Sequence, residues 1–187
     1  SVMIFLLVVA TALTGTERPI DNFAPTMVWI IWWVGMGYVT AALGNLWMLV
    51  NPWKIIFEWF QAFLSFLGRS QKHKVLRYPK WLDMWPAVFV FLLFGWIENI
   101  YPNAAQPQKL GLLVIAYSFV TWAGMAFFGK HQWLGKGEVF TILFGLFSRF
   151  AITEVRCTNR ALCKPCAQGC LAWERCVNCY ECIEASE

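Results

Sequence analysis

The chain has 187 residues, of which 59% are hydrophobic and only 14% charged, with 12 Trp and 16 Phe. A soluble domain carries about a quarter charged residues, so this composition excludes an ordinary water-soluble globule and places the chain in the membrane class. The net charge of +4 does not point to a nucleic-acid partner, because the basic residues fall in polar segments between apolar runs, where they set topology.

In chain order, Ser1 already lies inside an apolar run with no basic region before it, and residues 1–15 are expected to be the end of a transmembrane helix rather than a signal peptide. Three longer runs are expected to span, at 26–50, 83–101 and 110–129, since a spanning helix needs about 20 apolar residues. The shorter run 139–152 is expected either to span or to be re-entrant. Residues 51–68 differ. Trp53, Ile56, Phe57, Phe60, Phe63, Leu64 and Leu67 recur at helical spacing, with Lys54, Glu58 and Gln61 between them. The pattern predicts an interfacial amphipathic helix, with Asn51 as N-cap and Pro52 in the first turn. The expected fold is therefore all-α: a polytopic transmembrane domain at 1–152 with four to five membrane segments, followed by a small Cys-rich module at 153–187.

Lys54, Arg69, Lys72, Lys74, Arg77 and Lys80 crowd the segment between the first two full spans, which the positive-inside rule makes cytoplasmic. The side on which the tail emerges then depends on 139–152. A spanning 139–152 puts the tail outside, and a re-entrant one leaves it in the cytoplasm.

All seven cysteines lie in that tail, at Cys157, Cys163, Cys166, Cys170, Cys176, Cys179 and Cys182. A segment this small, with no apolar stretch of its own, needs cross-links or a metal to hold one shape. Three arrangements stay open. Zinc suits the two CxxC pairs, Cys163/Cys166 and Cys176/Cys179, with Cys157, Cys170 and Cys182 as further candidate ligands. Disulfides leave one of the seven unpaired. An iron–sulfur cluster suits the spacing of Cys176, Cys179 and Cys182 but lacks the ferredoxin Cys-Pro. Thiols stay reduced in the cytoplasm and pair outside it, so compartment decides between the first two.

Elsewhere, Glu98 is an intramembrane carboxylate near a helix end, Asn45 a candidate interhelical hydrogen-bonding residue and Glu138 a candidate helix cap. His73 and His131, with Glu138, make a weak candidate metal set. The Trp-rich runs suit aromatic belts and helix packing. No GxSxG, P-loop, HExxH or dinucleotide fingerprint is present.

The stretches Asp21–Thr26, Gly44–Trp47, Asn51–Lys54, Tyr78–Trp81, Trp85–Ala87, Tyr117–Gly124, Gly137–Phe150, Thr153–Arg156 and Cys176–Cys182 resemble, in order, a bacterial integral membrane family commonly labelled fenitrothion hydrolase. The resemblance covers roughly 21–182. It implies a bacterial inner (cytoplasmic) membrane location and a membrane-bound organophosphate ester hydrolase, with further apolar segments beyond the cysteine module, but it assigns no catalytic residue. Metal-assisted ester hydrolysis needs a cluster of His and carboxylate ligands that is not visible here. The expected function is thus an accessory or structural subunit of a larger membrane assembly, with the bilayer and other membrane subunits as partners and a metal- or disulfide-stabilised docking tail. The alternatives are the hydrolase and a redox or metal-handling component.

Overall fold

The computed structural model describes residues 1–68 and 76–153, together with the backbone of Arg156–Cys157 and Cys176–Val177. Within these residues the fold is helical: α1 (Val2–Thr14), α2 (Phe23–Leu43), α3 (Trp47–Val50), α4 (Pro52–Phe66), α5 (Trp85–Asn99), α6 (Pro107–Phe128), α7 (Lys130–Lys136) and α8 (Val139–Phe147), the last running into a 3-10 turn at Ser148–Phe150. A two-residue antiparallel pair, β1 (Arg156–Cys157) with β2 (Cys176–Val177), is the extended pairing among the described residues.

The expectation of four to five membrane segments is corrected to two. Among the described residues, only α2, with 21 residues, and α6, with 22, are long and apolar enough to cross. The reasons are local. The run 26–50 breaks at Gly44, whose φ of +98° suits glycine and ends α2. The run 83–101 is helical only from Trp85 to Asn99, because Lys80–Met84 form turns and Asp83 takes a positive φ of 31°. The run 139–152 is helical over Val139–Phe147 and tightens into the 3-10 turn. At 1.5 Å per residue, the 13 residues of α1 and 15 of α5 reach about 20 Å, short of a hydrocarbon core of about 30 Å.

Side-chain contacts set the direction of each helix. α1 runs against α6: a Cβ at Gly111 would sit 2.9 Å from Ala12, while Phe5 packs on Trp53, which bonds Ser118 one third of the way further along α6. α2 starts where α1 ends, since Asn22 Nδ2 donates to Thr11 O at 2.9 Å, and Trp29 Nε1 donates to Ala104 O just before α6 begins. α2 and α6 therefore descend together from one end of the bundle, formed by segments 15–22 and 100–106. At the other end, Leu76 N donates to Phe127 O at 2.8 Å, Lys130 pairs with Glu58 at 2.9 Å and Lys136 with Asp83 at 3.1 Å. Arg77, Lys80, Lys130 and Lys136 belong to this basic end.

α8 runs beside α2 in the same direction. Phe140 meets Trp32 and Trp33, Phe147 lies by Gly37, and Thr153 Oγ1 donates to Leu43 O at 2.6 Å. The chain thus leaves α8 at the basic end.

The core is aromatic. Trp32, Trp47, Trp53, Tyr117, Phe140 and Phe144 meet mostly edge to face, with centroids 4.5–6.3 Å apart. Such pairs add to burial itself. Below them, the Trp133 indole fits a slot between two glycines: a Cβ at Gly124 would fall 2.1 Å from it, and one at Gly137 2.6 Å. Gly95 on α5 faces open space. Gly124→Ala is therefore expected to destabilise by about 1–3 kcal/mol, whereas Gly95→Ala should be neutral or stabilising by about 0.5–1 kcal/mol. Thermal melting of the two variants in detergent checks the pair; equal melting temperatures would rule out the slot.

Candidate functional site

Two helices begin inside the bundle rather than at its ends, and their caps form the most buried polar cluster among the described residues. α4 opens with Asn51-Pro52. The proline fixes φ and lacks an N–H, as suits a first turn, and the Asn51 Oδ1 accepts from Trp53 N at 3.0 Å and Lys54 N at 3.2 Å. The Asn51 cap expected from sequence is present. α8 opens with Glu138, whose carboxylate accepts from Phe140 N at 3.1 Å and Thr141 N at 2.7 Å. The expected capping role of Glu138 is likewise present.

The caps are joined. Glu138 also accepts short hydrogen bonds from the Tyr117 hydroxyl on α6 and from the Thr141 hydroxyl. Asn51 Nδ2 donates to Thr141 Oγ1 at 3.3 Å. One residue onward, Trp53 Nε1 donates to Ser118 Oγ at 2.7 Å, Ser118 donates to Val114 O at 2.7 Å, and Trp122 Nε1 donates to Trp53 O at 3.1 Å. Glu138 is 1% exposed and Asn51 2%. Helix α6, long and apolar enough to cross a membrane, thus anchors both internal helix starts through Tyr117, Ser118 and Trp122.

Chemically this is a lock. The Glu138 carboxylate meets four donors, which uses its acceptor capacity without a cation. Apolar cavities of about 290 and 250 Å³ flank it; Trp32 and Trp53 line both, and Tyr117 and Phe140 line the smaller. At the basic end, the buried Tyr78 hydroxyl donates to Asp83 O at 2.8 Å, and burial, then the Asp83 charge, push its phenol pKa up.

The other sequence candidates fall apart in space. Glu98 is exposed and accepts from Trp33 Nε1 at 3.0 Å. Asn45 Oδ1 is buried without a hydrogen-bond partner among the described residues. His131 is exposed on α7, and His73 lies outside the described residues. No three His, Cys, Asp or Glu side chains come together among the described residues. Of the candidate metal ligands, Cys163, Cys166, Cys170, Cys179 and Cys182 lie outside the described residues; for Cys157 and Cys176 the backbone alone is described. Sequence reasoning missed Tyr117, Thr141 and Ser118, whose only signal was a polar residue within or beside an apolar run.

Compared with known proteins, the chain matches no family model, no curated protein and no solved structure.

The lock predicts non-additivity. Tyr117→Phe and Glu138→Gln each leave a buried group short of a partner and should cost about 1–3 kcal/mol. The double variant should be less destabilised than the sum, by at least about 0.5 kcal/mol. Denaturation of the four proteins in detergent measures this, and strict additivity would show that the two side chains do not act together.

Proposed function

We propose that this chain is an accessory or structural subunit of a larger membrane assembly, with the Cys-rich tail as its docking element. One observation carries the reading. α2 is long and apolar enough to cross a membrane, yet only 6% of its apolar window is buried within this chain, and Ile30, Ile31, Val34, Tyr38, Val39 and Leu43 stay exposed along it. Beside it lie α1, α5 and α8, each too short to cross. Helices that end within the hydrocarbon have backbone ends that only protein or a water-filled cavity satisfies. Neighbouring subunits meet that need, and α2 offers them a continuous face.

Charge supports an orientation. The basic end carries Arg77, Lys80, Lys130, Lys136 and Arg149 against Glu58 and Asp83, whereas the opposite end carries Arg18 and Lys109 against Glu17, Asp21 and Glu98. By the positive-inside rule the basic end is cytoplasmic. The exposed Phe60, Phe63 and Phe66 on the second half of α4 suit the interfacial placement of that half, while its first half is held within the bundle by Trp53.

Purification in a mild detergent tests the reading. The native mass is expected to exceed that of a single 21.6 kDa chain, with other membrane polypeptides in fixed stoichiometry. A lone chain that hydrolyses an organophosphate triester would establish the hydrolase reading instead, and a lone chain with iron–sulfur absorbance the redox one.

A further inference from the structure

We infer that a slot between α5 and α6 takes one acyl chain of a bilayer lipid. The inference goes beyond the subunit reading and shares with it only the membrane placement.

The slot is the smaller of the two apolar cavities, about 250 Å³ in volume. Two stripes at helical spacing form its long walls: Leu110, Leu113, Val114 and Tyr117 on α6, and Val90, Leu93, Phe94 and Ile97 on α5. Leu110 at one end, with Trp53 and Phe140, makes a buried floor. Along α6 the slot runs from Leu110 to Val120, about 15 Å at 1.5 Å per residue. Spread over that length, its volume leaves a section of about 17 Å². A helix with its side chains is about 10 Å across, so a neighbouring subunit cannot seat a helix there. An unbranched hydrocarbon chain fits.

Three observations ask for such a chain. First, the α5 stripe lines the slot, yet Ala87 is the one buried residue of α5. Apolar walls with nothing against them forfeit dispersion contacts that a chain supplies. Second, the polar atoms beside the slot are committed elsewhere. Trp29 Nε1 donates to Ala104 O, Trp53 Nε1 to Ser118 Oγ and the Tyr117 hydroxyl to Glu138. These donors offer water nothing, and an apolar cavity of about 150 Å³ already stays dry and takes benzene. Third, the slot opens sideways. Its rim residues Leu93 and Val120 are 45% and 52% exposed, the latter on the flank of α6, which is long and apolar enough to cross a membrane. In a bilayer that flank meets hydrocarbon, so lipid chains stand at the mouth. The remaining wall, on α2, is π-helical from Thr26 to Gly35 and sets Val28, Trp29 and Trp32 against the slot. Such turns are rare and gather at functional sites.

A phosphatidylcholine carrying a photoreactive diazirine midway along one acyl chain tests the slot. The full chain is reconstituted in vesicles containing that lipid and irradiated, and the adducts are mapped by mass spectrometry. Phe119 is exposed and lines neither cavity, so it reports bulk lipid. Adducts are expected on Phe119 and also on the buried floor at Leu110, Trp53 or Phe140, which bulk lipid does not reach. Leu113→Trp and Val90→Phe fill the slot from opposite walls. Each should lower the floor adducts several-fold relative to Phe119. A labelled Phe119 beside an unlabelled floor in the parent chain would overturn the inference, and so would floor adducts undiminished in both variants. Floor adducts from a diazirine-bearing free fatty acid, with none from the phospholipid, would overturn the assignment to a bilayer lipid. The parent chain alone decides occupancy, and its native mass is read independently, so failure of the slot and failure of the subunit reading are distinguishable.

Discussion

Two helices of this bundle start in its interior, and the backbone N–H groups at those starts must find acceptors where water is scarce. The rest of the structure follows from how that demand is met. The first N–H groups of a helix have no partner within it, and leaving them bare in an apolar setting costs several kcal/mol each. Asn51 and Glu138 answer for α4 and α8, and Thr141 bonds both caps, so the two starts become a single unit. Tyr117 fixes that unit to the long apolar helix α6. Because α4 and α8 begin inside, each covers only part of the bundle's length on its way to the basic end.

Packing then completes what the caps begin. Trp53 is both the second residue of α4 and the hub of the aromatic core, touching Trp32, Trp47, Tyr117 and Phe140. Its indole N–H and its carbonyl are both engaged by α6, through Ser118 and Trp122. The ring thus contributes area and edge-to-face contacts without leaving a buried donor unpaired. Trp47 Nε1 and Trp133 Nε1 lack partners among the described residues, and both indoles are held by shape, Trp133 between its two glycines. Where the chain must turn without side-chain help, Gly44 takes the positive φ, and its preceding carbonyl is met by Thr153 from the start of the tail.

Composition alone pointed to long apolar helices, and the two caps were legible because each pairs a suitable residue with a suitable neighbour: Asn51 before Pro52, Glu138 after Gly137. Gly44 was not legible as a stop, since a glycine inside an apolar run is common within membrane helices. The tryptophans read equally well as belts or as core, because hydropathy does not say which side of a helix faces protein. Tyr117 lies 21 residues from Glu138, and nothing local marks the pair. The direction of α8 rests on contacts to α2 that no periodicity encodes. The concentration of all seven cysteines near the chain's end is plain in the sequence, but the register that sets Cys157 opposite Cys176 is a property of the ladder.

Amide hydrogen exchange of the chain in a lipid bilayer tests most directly whether two capped helix starts lie in a dry interior. The amide N–H groups of Trp53, Lys54, Phe140 and Thr141 donate to the Asn51 and Glu138 side chains rather than to a carbonyl of their own helix. They should exchange as slowly as the central amides of α6, and more slowly than first-turn amides ordinarily do. Exchange of these four at the rate of the 100–106 loop would mean that the helix starts open to water, and the lock would not exist.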